Sequence, residues 1–451
     1  MEEKDTVAEK FDDYALSRVP QKERKHWLGI ATMRFGQISA LTQFLLGAAL
    51  GFGMDFWTAF WALTLGSVIL EIVSILVGIA GMKEGMSTTL LVRWTGFGKF
   101  GSILLSFILA ISMIGWFGIQ NEVFAHGLQE LLGGPIWAWA IATGLLVTLI
   151  VVFGIFSLGI AAYITVPLFL IVVLYSISSV LGDHSLSELI HMHAPGPSLS
   201  LAAGTTMVAG GFIAGAIITP DLSRYNKSAA DVVKQSIVGI ALGEYLIGLI
   251  GVLLAHAAQS SDVITIVMGT SGILGTIVLI TATIKINDFN LYAPSLAIVN
   301  IFDSLFGKQV NRTVVTIVIG IVGTLLSIMG ILGQFQGFLS LLGIALPPVG
   351  GILVAEYFLV KRYKKAFDET REQNVLPKTY EKWNPITLVS WAAAFLVGLL
   401  INWGIPSLNS LLTSFILYLM ISKIVNRRGM VTFDEIDTYQ DLQIKDQKVI
   451  N

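Results

Sequence analysis

The stretch Gly115-Trp116-Phe117-Gly118-Ile119-Gln120 places an indole and an amide inside a long apolar segment. Trp116 and Gln120 are four residues apart and therefore share one face of a helix. An aromatic face stacks on flat rings, and an amide offers both a hydrogen-bond donor and an acceptor. The pair suits a flat heteroaromatic ligand. The alternative for Trp116 is the aromatic belt at a membrane interface, although it lies roughly 17 residues into its segment.

Ionisable side chains inside apolar segments are a second set of candidates. A charge at the centre of a membrane helix costs roughly 2.5–3.5 kcal/mol on insertion scales, so such residues are functional hypotheses by default. Glu71 and Glu244 have a structural alternative, a buried carboxylate hydrogen-bonded to a neighbouring helix. For Glu122 the alternative is contact with lipid headgroups, and Glu356 is expected at the inner interface. The full set is Arg34, Glu71, Glu122, Glu244, Lys285, Asp288 and Glu356.

Enzyme chemistry and metal binding find little support in the sequence. The chain has no cysteine, and its six histidines are scattered among a tail, predicted outer loops and helix ends. His191 and His193 form an HxH pair near Asp183 and His184, but no fourth ligand stands at a fixed spacing. We therefore interpret 182–199 as a polar loop, and we predict no catalysed reaction, no metal site and no cofactor.

The elements that position the candidate residues must be membrane helices. Of 451 residues, 54% are hydrophobic and 13% are charged, and the mean hydropathy is +0.77. Soluble domains carry about 25% charged residues. Twelve apolar segments are long enough to cross about 30 Å of hydrocarbon. They are 28–51, 56–82, 99–127, 136–154, 157–181, 200–219, 234–258, 263–301, 311–330, 331–360, 385–403 and 405–422.

The basic residues predict how these segments are oriented. If the N-terminus is cytoplasmic and the spans alternate, the outer loops 128–135, 182–199, 258–263 and 403–408 contain no Lys or Arg. The inner connections are basic instead, including a block from Lys361 to Lys382. This is the positive-inside pattern. It predicts an even number of spans, both termini in the cytoplasm and a place in the inner (cytoplasmic) membrane.

Two of the predicted spans contain sequences that favour a broken helix. Segment one has Gly36 flanked by polar residues, within Met33-Arg34-Phe35-Gly36-Gln37-Ile38-Ser39. Segment six has Ala209-Gly210-Gly211-Phe212. Transporters built from repeats bind their substrate where such helices unwind, because free backbone groups can contact solute or ion there. Helices one and six correspond to each other if the first ten helices form two inverted repeats of five.

Four stretches carry a resemblance to a known family. They are Gly115-Trp116-Phe117-Gly118, Thr219-Pro220-Asp221-Leu222-Ser223-Arg224-Tyr225, Asn287-Asp288-Phe289-Asn290-Leu291-Tyr292, and Pro347-Pro348-Val349-Gly350-Gly351-Ile352 followed by Ala355-Glu356-Tyr357. In this order and spacing the chain resembles the nucleobase–cation symporters, which include cytosine permease and the hydantoin transporter, from about residue 25 to 425. The resemblance implies an all-α, leucine-transporter-type fold: two inverted five-helix repeats, two further helices, and alternating access around a midplane site.

The resemblance also implies roles for single residues. Trp116 corresponds to the aromatic residue that stacks on the substrate, and Phe212 to a second aromatic on helix six that covers the opposite face. Gln120 matches the helix-three amide of the hydantoin branch, whereas the cytosine permease glutamine lies one turn earlier, where this chain has Met113. Asn290 corresponds to an amide that binds the edge of the base. Gln37 and Asp288 are further candidates for substrate recognition.

The cation site is where the chain departs from the family. Sodium-coupled members hold the ion between helix-one carbonyls, here at Gly36 and Ser39, and two hydroxyl side chains on helix eight. Those hydroxyls map to Lys285 and Ile286, so both are missing. A lysine ammonium would repel sodium and could take its place or carry a proton, since buried lysines shift their protonation readily. The alternative is that Lys285 extends to the inner interface.

We therefore predict a secondary active permease that imports a nucleobase such as cytosine or a purine, proton-coupled or sodium-independent. The alternative is a sodium-coupled symporter of another flat heterocycle, such as allantoin, hydantoin or a pyrimidine precursor. Its partners would be the substrate and the lipid bilayer, without nucleic acid, and the protein would be a monomer. The predicted organisation is a tail (1–27), helices 1–5 (28–181), helices 6–10 (200–360), helices 11–12 (385–423) and a tail (424–451).

Overall fold

The computed structural model describes residue 14 and residues 17–153, 158–306, 310–401 and 403–427. Within these ranges the chain is helical, and no strand occurs apart from one isolated bridge between Lys25 and Asn226. The helices of the first half are α1 (Trp27–Ile38), α2 (Leu41–Gly53), α3 (Phe56–Glu84), α4 (Thr88–Leu91), α5 (Gly98–Leu132), α6 (Ile136–Phe153), α7 (Leu158–Asp183), α8 (Leu186–His191), α9 (Leu201–Ile217) and α10 (Thr219–Ser223). Those of the second half are α11 (Ala229–Gly243), α12 (Leu249–Ala258), α13 (Val263–Phe306), α14 (Arg312–Ile328), α15 (Phe335–Ala345), α16 (Pro347–Val354), α17 (Lys364–Glu372), α18 (Pro385–Leu400) and α19 (Pro406–Arg427).

Membrane-crossing length is reached by only part of this set. Among the described residues, five continuous helices are long and apolar enough to cross a bilayer, and the bent pair α1–α2 makes a sixth. Seven further apolar helices have 10–17 residues each. A helix satisfies its own backbone hydrogen bonds, which hydrocarbon requires of any spanning segment. The structure therefore supports a helical membrane protein, while twelve spans, the two repeats and the proposed residue ranges stay predictions.

The described helices include two packed groups that carry the candidate residues, and α16, α18 and α19 pack on one another as a third. The first group contains α1, α2, α3, α9, α11 and α12, and the second contains α5, α6, α13 and α14. The pairs α5–α13 and α3–α9 have the most extensive contacts within these groups. Helix α15 contacts both α9 and α5. Residues carried by α5, α9, α13 and α15 are therefore positioned relative to one another by direct packing.

Helix one is broken, but not at the glycine that the sequence favoured. The chain stays α-helical through Gly36, and the break falls at Ser39 and Ala40, with a bend of 54° between α1 and α2. Ser39 has a ψ of 62° and Ala40 is extended, so neither continues the helix. A Cβ at Gly36 would meet no atom within 4 Å. The polar stretch around Gly36 therefore contains a break, as predicted, but the break lies at Ser39, three residues after Gly36.

Helix six does not unwind at Gly210 and Gly211. Helix α9 runs through both residues and ends at Ile217, where Ile218 leaves helical geometry before α10. The reason for glycine is packing: a Cβ on Gly210 would collide with the carbonyl oxygen of Leu339 and lie 2.8 Å from the backbone nitrogen of Gly343. Gly210 and Gly343 allow α9 and α15 to approach backbone to backbone. The expected interruption of the helix at Gly210 and Gly211 is therefore wrong.

The predicted spans 234–258 and 263–301 also contain residues that depart from regular α-helix. Between α11 and α12 the segment Glu244–Gly248 forms a π-helical turn. Helix α13 contains one non-helical residue, Gly272, whose φ of +61° suits glycine. The polar run of Lys285, Asn287, Asp288 and Asn290 is helical. Its polar residues therefore interrupt the apolar sequence without interrupting the helix.

A cluster of buried charges ties several segments together at one end of α3, and we call it the Glu84 cluster. Glu84 binds Arg18 at 2.9 Å and Arg371 at 2.6 Å, and it accepts a hydrogen bond of 2.6 Å from the hydroxyl of Tyr357. Arg18 also donates to the carbonyl oxygen of Val375. Burial lowers the pKa of Arg18, and the Glu84 carboxylate opposes that shift. The cluster joins the N-terminal segment, α3, α17 and the segment Ala355–Val360 that follows α16.

Candidate functional site

Trp116 lies inside the bundle, on the face of α5 that meets α15. The residue is 9% exposed, and the rings of Phe335 and Phe338 meet it edge-on, at 71° and 86°, with ring centres 6.0 and 5.3 Å away. Gly115 leaves room for this contact, because a Cβ there would lie 2.5 Å from the Phe338 ring. Edge-to-face packing of this kind holds an aromatic plane in a fixed orientation. The burial excludes the alternative that Trp116 belongs to an interfacial belt.

Buried amides with unpaired atoms occur on α5 and on α13, two helices that pack on each other. Gln120 is 1% exposed and its Oε1 has no hydrogen-bond partner among the described residues. On α13 the same holds for Nδ2 of Asn290, which is 9% exposed, and for both amide atoms of the fully buried Asn287. Leaving a buried polar group unpaired costs about 1–3 kcal/mol. A polar ligand with donors and acceptors on its edge would remove that cost.

Asn287 is a site candidate that the sequence reasoning missed. It lies three residues before Asn290, so the two amides share one helix face. It stands in the same family-like stretch as Asn290, and the spacing of the two asparagines could have identified it. Asn287 and Asn290 lie on α13 and Gln120 lies on α5, two helices that pack extensively on each other, and Trp116 lies one turn from Gln120. We call Trp116, Gln120, Asn287 and Asn290 the amide cradle.

Phe212, the second predicted aromatic, is half-buried on α9. The Arg34 guanidinium lies 6.0 Å from the centre of its ring. Helix α15 connects this region to the cradle, since Phe338 contacts Trp116 while Leu339 packs on Gly210 of α9. Phe212 follows Gly210 by two residues, about 200° around α9, so its ring points away from the face that meets α15 and towards Arg34 of α1. Its expected role on the opposite face of a ligand stays a prediction.

The helix-one candidates have different environments. Gln37 is exposed and Gly36 borders open space. Ser39 is buried, and its Oγ has no hydrogen-bond partner among the described residues. A Cβ on Gly243 would lie 3.5 Å from that oxygen, so Ser39 points towards helix seven. The side chains of Lys285 and Asp288 lie outside the described residues, and Ile286 is half-buried. The expected cation-site replacement by Lys285 thus stays a prediction.

Two of the intramembrane ionisable residues, Arg34 and Glu122, are held by specific contacts. Arg34 is fully buried; its Nε donates to Oε1 of Gln235 and its Nη2 to Oγ1 of Thr219, both at 3.0 Å. Glu122 is buried and accepts a hydrogen bond of 2.8 Å from the backbone nitrogen of Leu332, so the structure does not support the alternative of contact with lipid headgroups. That bond links α5 to the start of helix ten.

Glu356 and two histidines of the loop 182–199 also have partners within the protein. Glu356 accepts a hydrogen bond of 2.8 Å from Tyr418 and is buried among neighbouring helices. In the loop, His184 pairs with Glu188 at 2.9 Å and His191 bonds to the carbonyl oxygen of Ser187. Among the described residues no group of three or more His, Cys, Asp or Glu side chains could hold a metal ion.

Solved structures with the same arrangement of helices are transporters. The inward-facing conformation of Mhp1 superposes with a TM-score of 0.79 at 20% identity, covering 91% of this chain and 93% of that one. Mhp1 in a closed conformation with bromovinylhydantoin bound gives 0.72 at 22% identity, covering 93% and 97%. A Na+-coupled sialic acid symporter gives 0.62 at 14% identity, covering 92% of each chain. The class of fold is therefore that of these helical membrane symporters.

Sequence comparison narrows the class to one family. A family model for permeases of cytosine/purines, uracil, thiamine and allantoin matches residues 18–420. The cytosine permease of Escherichia coli strain K12 is 28% identical over 429 residues, covering 94% of this chain and 98% of that protein. The hydantoin permease of Microbacterium maritypicum is 24% identical over 398 residues, covering 82% and 80%. The chain belongs to this permease family, which confirms the resemblance in its sequence and the prediction that it is a transporter and not an enzyme.

Proposed function

We propose that the protein is a secondary active transporter that imports a nucleobase, such as cytosine or a purine, by alternating access. The observation that carries the proposal is the amide cradle: unpaired amide atoms of Gln120, Asn287 and Asn290 beside a buried indole. A nucleobase offers a flat face for Trp116 and an edge of donors and acceptors for the amides. Phe212 closes the opposite face, and Gln37 and Asp288 lie near enough in sequence to assist.

The alternative substrate is another flat heterocycle. The hydantoin permease and the allantoin permease of Bacillus subtilis, 23% identical over 462 residues, are named for ring compounds that also carry alternating carbonyl and N–H groups. Gln120 favours this branch, since it matches the hydantoin-type amide and Met113 replaces the glutamine of cytosine permease. A competition panel decides between them: unlabelled cytosine, uracil, hypoxanthine, hydantoin and allantoin against uptake of one labelled base. Competition by hydantoin or allantoin alone would replace the nucleobase proposal.

The proposed orientation comes from the charge pattern, and the proposed architecture is what the resemblance to the family implies. Twelve spans, arranged as two inverted five-helix repeats and two further helices, place both termini in the cytoplasm of an inner-membrane protein that works as a monomer. The basic connections support this topology, because cytoplasmic loops carry an excess of Lys and Arg. Labelling of single cysteines introduced in the outer loop 182–199 and in the inner block 361–382 tests it, since the natural chain has no cysteine.

Transport is proton-coupled or sodium-independent in this proposal. Lys285 and Ile286 stand where sodium-coupled relatives supply two hydroxyls, and sodium needs oxygen ligands. Uptake into proteoliposomes should therefore be the same in sodium and in choline buffer. A strong stimulation by sodium would contradict the proposal, and Lys285 would then be assigned to the inner interface.

A further inference from the structure

Glu244 is a fully buried carboxyl group for which the proposed transport mechanism has no role so far. It begins the π-helical turn between α11 and α12 and is 0% exposed. Its Oε2 accepts a hydrogen bond from the hydroxyl of Ser67 on α3, while its Oε1 has no hydrogen-bond partner among the described residues. No described Lys, Arg or His side chain forms an ion pair with it. One half of the carboxyl is therefore held and the other half is free.

Two more unpaired polar atoms lie beside the π-helical turn that Glu244 begins, one from Ser39 and one from Gln43 of α2. The hydroxyl of Ser39 lies against Gly243, and Nε2 of Gln43 lies against Gly248, which a Cβ would approach to 3.0 Å. Ser39 and Gln43 are both buried. They flank the two ends of the π-helical turn, and π-turns within α-helices are frequent at functional sites. Unpaired atoms of Ser39, Gln43 and Glu244 therefore lie along one π-helical turn.

The position matters because it borders the hinge of helix one. Helix α1 packs chiefly on α11, where Arg34 lies against Gly239 and Ile38 against Gly243. Its opposite face is open, with Met33 and Gln37 exposed. A rotation of α1 about the break at Ser39 would therefore change what surrounds Glu244 and its access to water.

The charges around Glu244 leave the carboxyl without a fixed counter-ion. An isolated carboxylate is expensive to bury in an apolar medium, whereas a carboxylic acid is neutral and has an O–H to donate. Arg34 lies against Gly239, five residues earlier on helix seven and therefore about 7.5 Å along the axis. The other ionisable residues on the elements packed against this turn are Glu71, Lys83 and Glu84 on α3, Asp231 and Lys234 on α11, and His256 on α12, with none on α2.

We propose that Glu244 binds the coupling proton of this transporter, at the carboxyl oxygen left free beside the helix-one hinge. The inference rests on the proposed function and names Glu244, in place of Lys285, as the proton carrier. In one state of the cycle an O–H bond forms at Oε1 with a proton from water on one side of the membrane. In the other state that bond breaks and the proton passes to water on the opposite side. No electrons are exchanged, and Ser67 holds Oε2 throughout.

The test uses purified full-length protein in proteoliposomes and labelled cytosine. One proton per substrate gives about tenfold accumulation for a gradient of one pH unit, because one pH unit and a tenfold concentration ratio are the same free energy. Glu244→Gln keeps the shape and an acceptor for Ser67 but cannot take up a proton. It should still exchange external for internal cytosine and should reach no accumulation under the pH gradient. Accumulation at the wild-type level would overturn the proposal.

Three further variants distinguish Glu244 from other groups that could carry the proton. Glu188→Gln removes an exposed carboxylate on α8 and should accumulate cytosine as the wild type does. Lys285→Gln tests the other candidate. If Lys285→Gln abolishes pH-driven accumulation while Glu244→Gln retains it, the coupling proton belongs to Lys285 and the proposal fails. Glu71→Gln serves the same purpose for the neighbouring carboxyl, and loss of coupling in this variant alone would also overturn the assignment.

Infrared spectroscopy gives a readout that needs no transported substrate. A protonated carboxyl has its own C=O stretching band, so the wild type should show a band that disappears in Glu244→Gln and persists in Glu188→Gln. Absence of a difference between wild type and Glu244→Gln would overturn the proton site. A wild type that transports none of the heterocycles in the panel would contradict the proposed function alone, and the band would still decide whether Glu244 carries a proton.

Discussion

The Glu84 cluster and the amide cradle both bury polar side chains, but they satisfy them in opposite ways. In the cluster, each oxygen of Glu84 has a partner, from Arg18, Arg371 or Tyr357. In the cradle, atoms of Gln120, Asn287 and Asn290 have none among the described residues. A fully connected buried network stabilises one structure, while a partly satisfied one is costly. The difference fits a structural role for the cluster and the proposed ligand-binding role for the cradle.

The largest expected effect is a loss of stability when Glu84 is replaced. Glu84→Ala would leave the buried Arg18 without its carboxylate, and removing one partner of a buried pair costs about 3–5 kcal/mol. The thermal unfolding midpoint of the detergent-solubilised protein should fall clearly. Affinity for cytosine should change by no more than about twofold, since distant sites are additive within about 0.5 kcal/mol. A large loss of affinity at unchanged stability would contradict the structural role of the cluster.

The next largest effect is expected on substrate affinity, when the stacking residues Trp116 and Phe212 are replaced. Trp116→Ala should abolish high-affinity binding, because a stacked base face is worth roughly 1–3 kcal/mol and the cradle loses its fixed plane. Phe212→Ala should weaken binding less, and Phe212→Trp should be tolerated. Equilibrium binding to purified, folded protein is the measurement. Wild-type affinity in Trp116→Ala would exclude the assigned pocket.

A smaller and more selective effect is expected from the amides. Gln120→Ala, Asn287→Ala and Asn290→Ala should each lower affinity about tenfold, since a bound base would then keep polar atoms unpaired at about 1–3 kcal/mol. The loss should differ between cytosine and hypoxanthine, whose donors and acceptors differ in position. The same variants should be as stable as the wild type, or more so, because each removes an unpaired polar group. Unchanged selectivity in all three would place recognition elsewhere.

The sequence predicted the parts of this arrangement that depend on local spacing. Trp116 and Gln120 could be assigned to one helix face because residues four apart always share one. The break of helix one was recognisable from the polar residues around Gly36, but the bend itself falls at Ser39, where packing on Gly243 of helix seven decides it. Local sequence signals are reliable to a few residues and no further.

What could not be predicted depends on partners far along the chain. Gly210 looked like a helix breaker, yet its role is set by the backbone of Leu339, which no local pattern reveals. Glu122 looked like a headgroup contact until the backbone nitrogen of Leu332 was found beside it. Asn287 was overlooked because the resemblance directed attention to Asn290 alone. The unpaired state of these amides is a property of tertiary packing and is visible only in the structure.

The most direct test of the cradle as a binding site is the ligand-induced shift of the thermal unfolding midpoint, measured with cytosine for the wild type and Trp116→Ala. A ligand that binds only the folded state at 100 times its Kd stabilises that state by about 2.7 kcal/mol. We expect a clear, saturable rise for the wild type, a much smaller rise for Trp116→Ala at the same concentration, and an undiminished rise for Glu84→Ala from its lower midpoint. An equal rise in wild type and Trp116→Ala would contradict the cradle as the binding site.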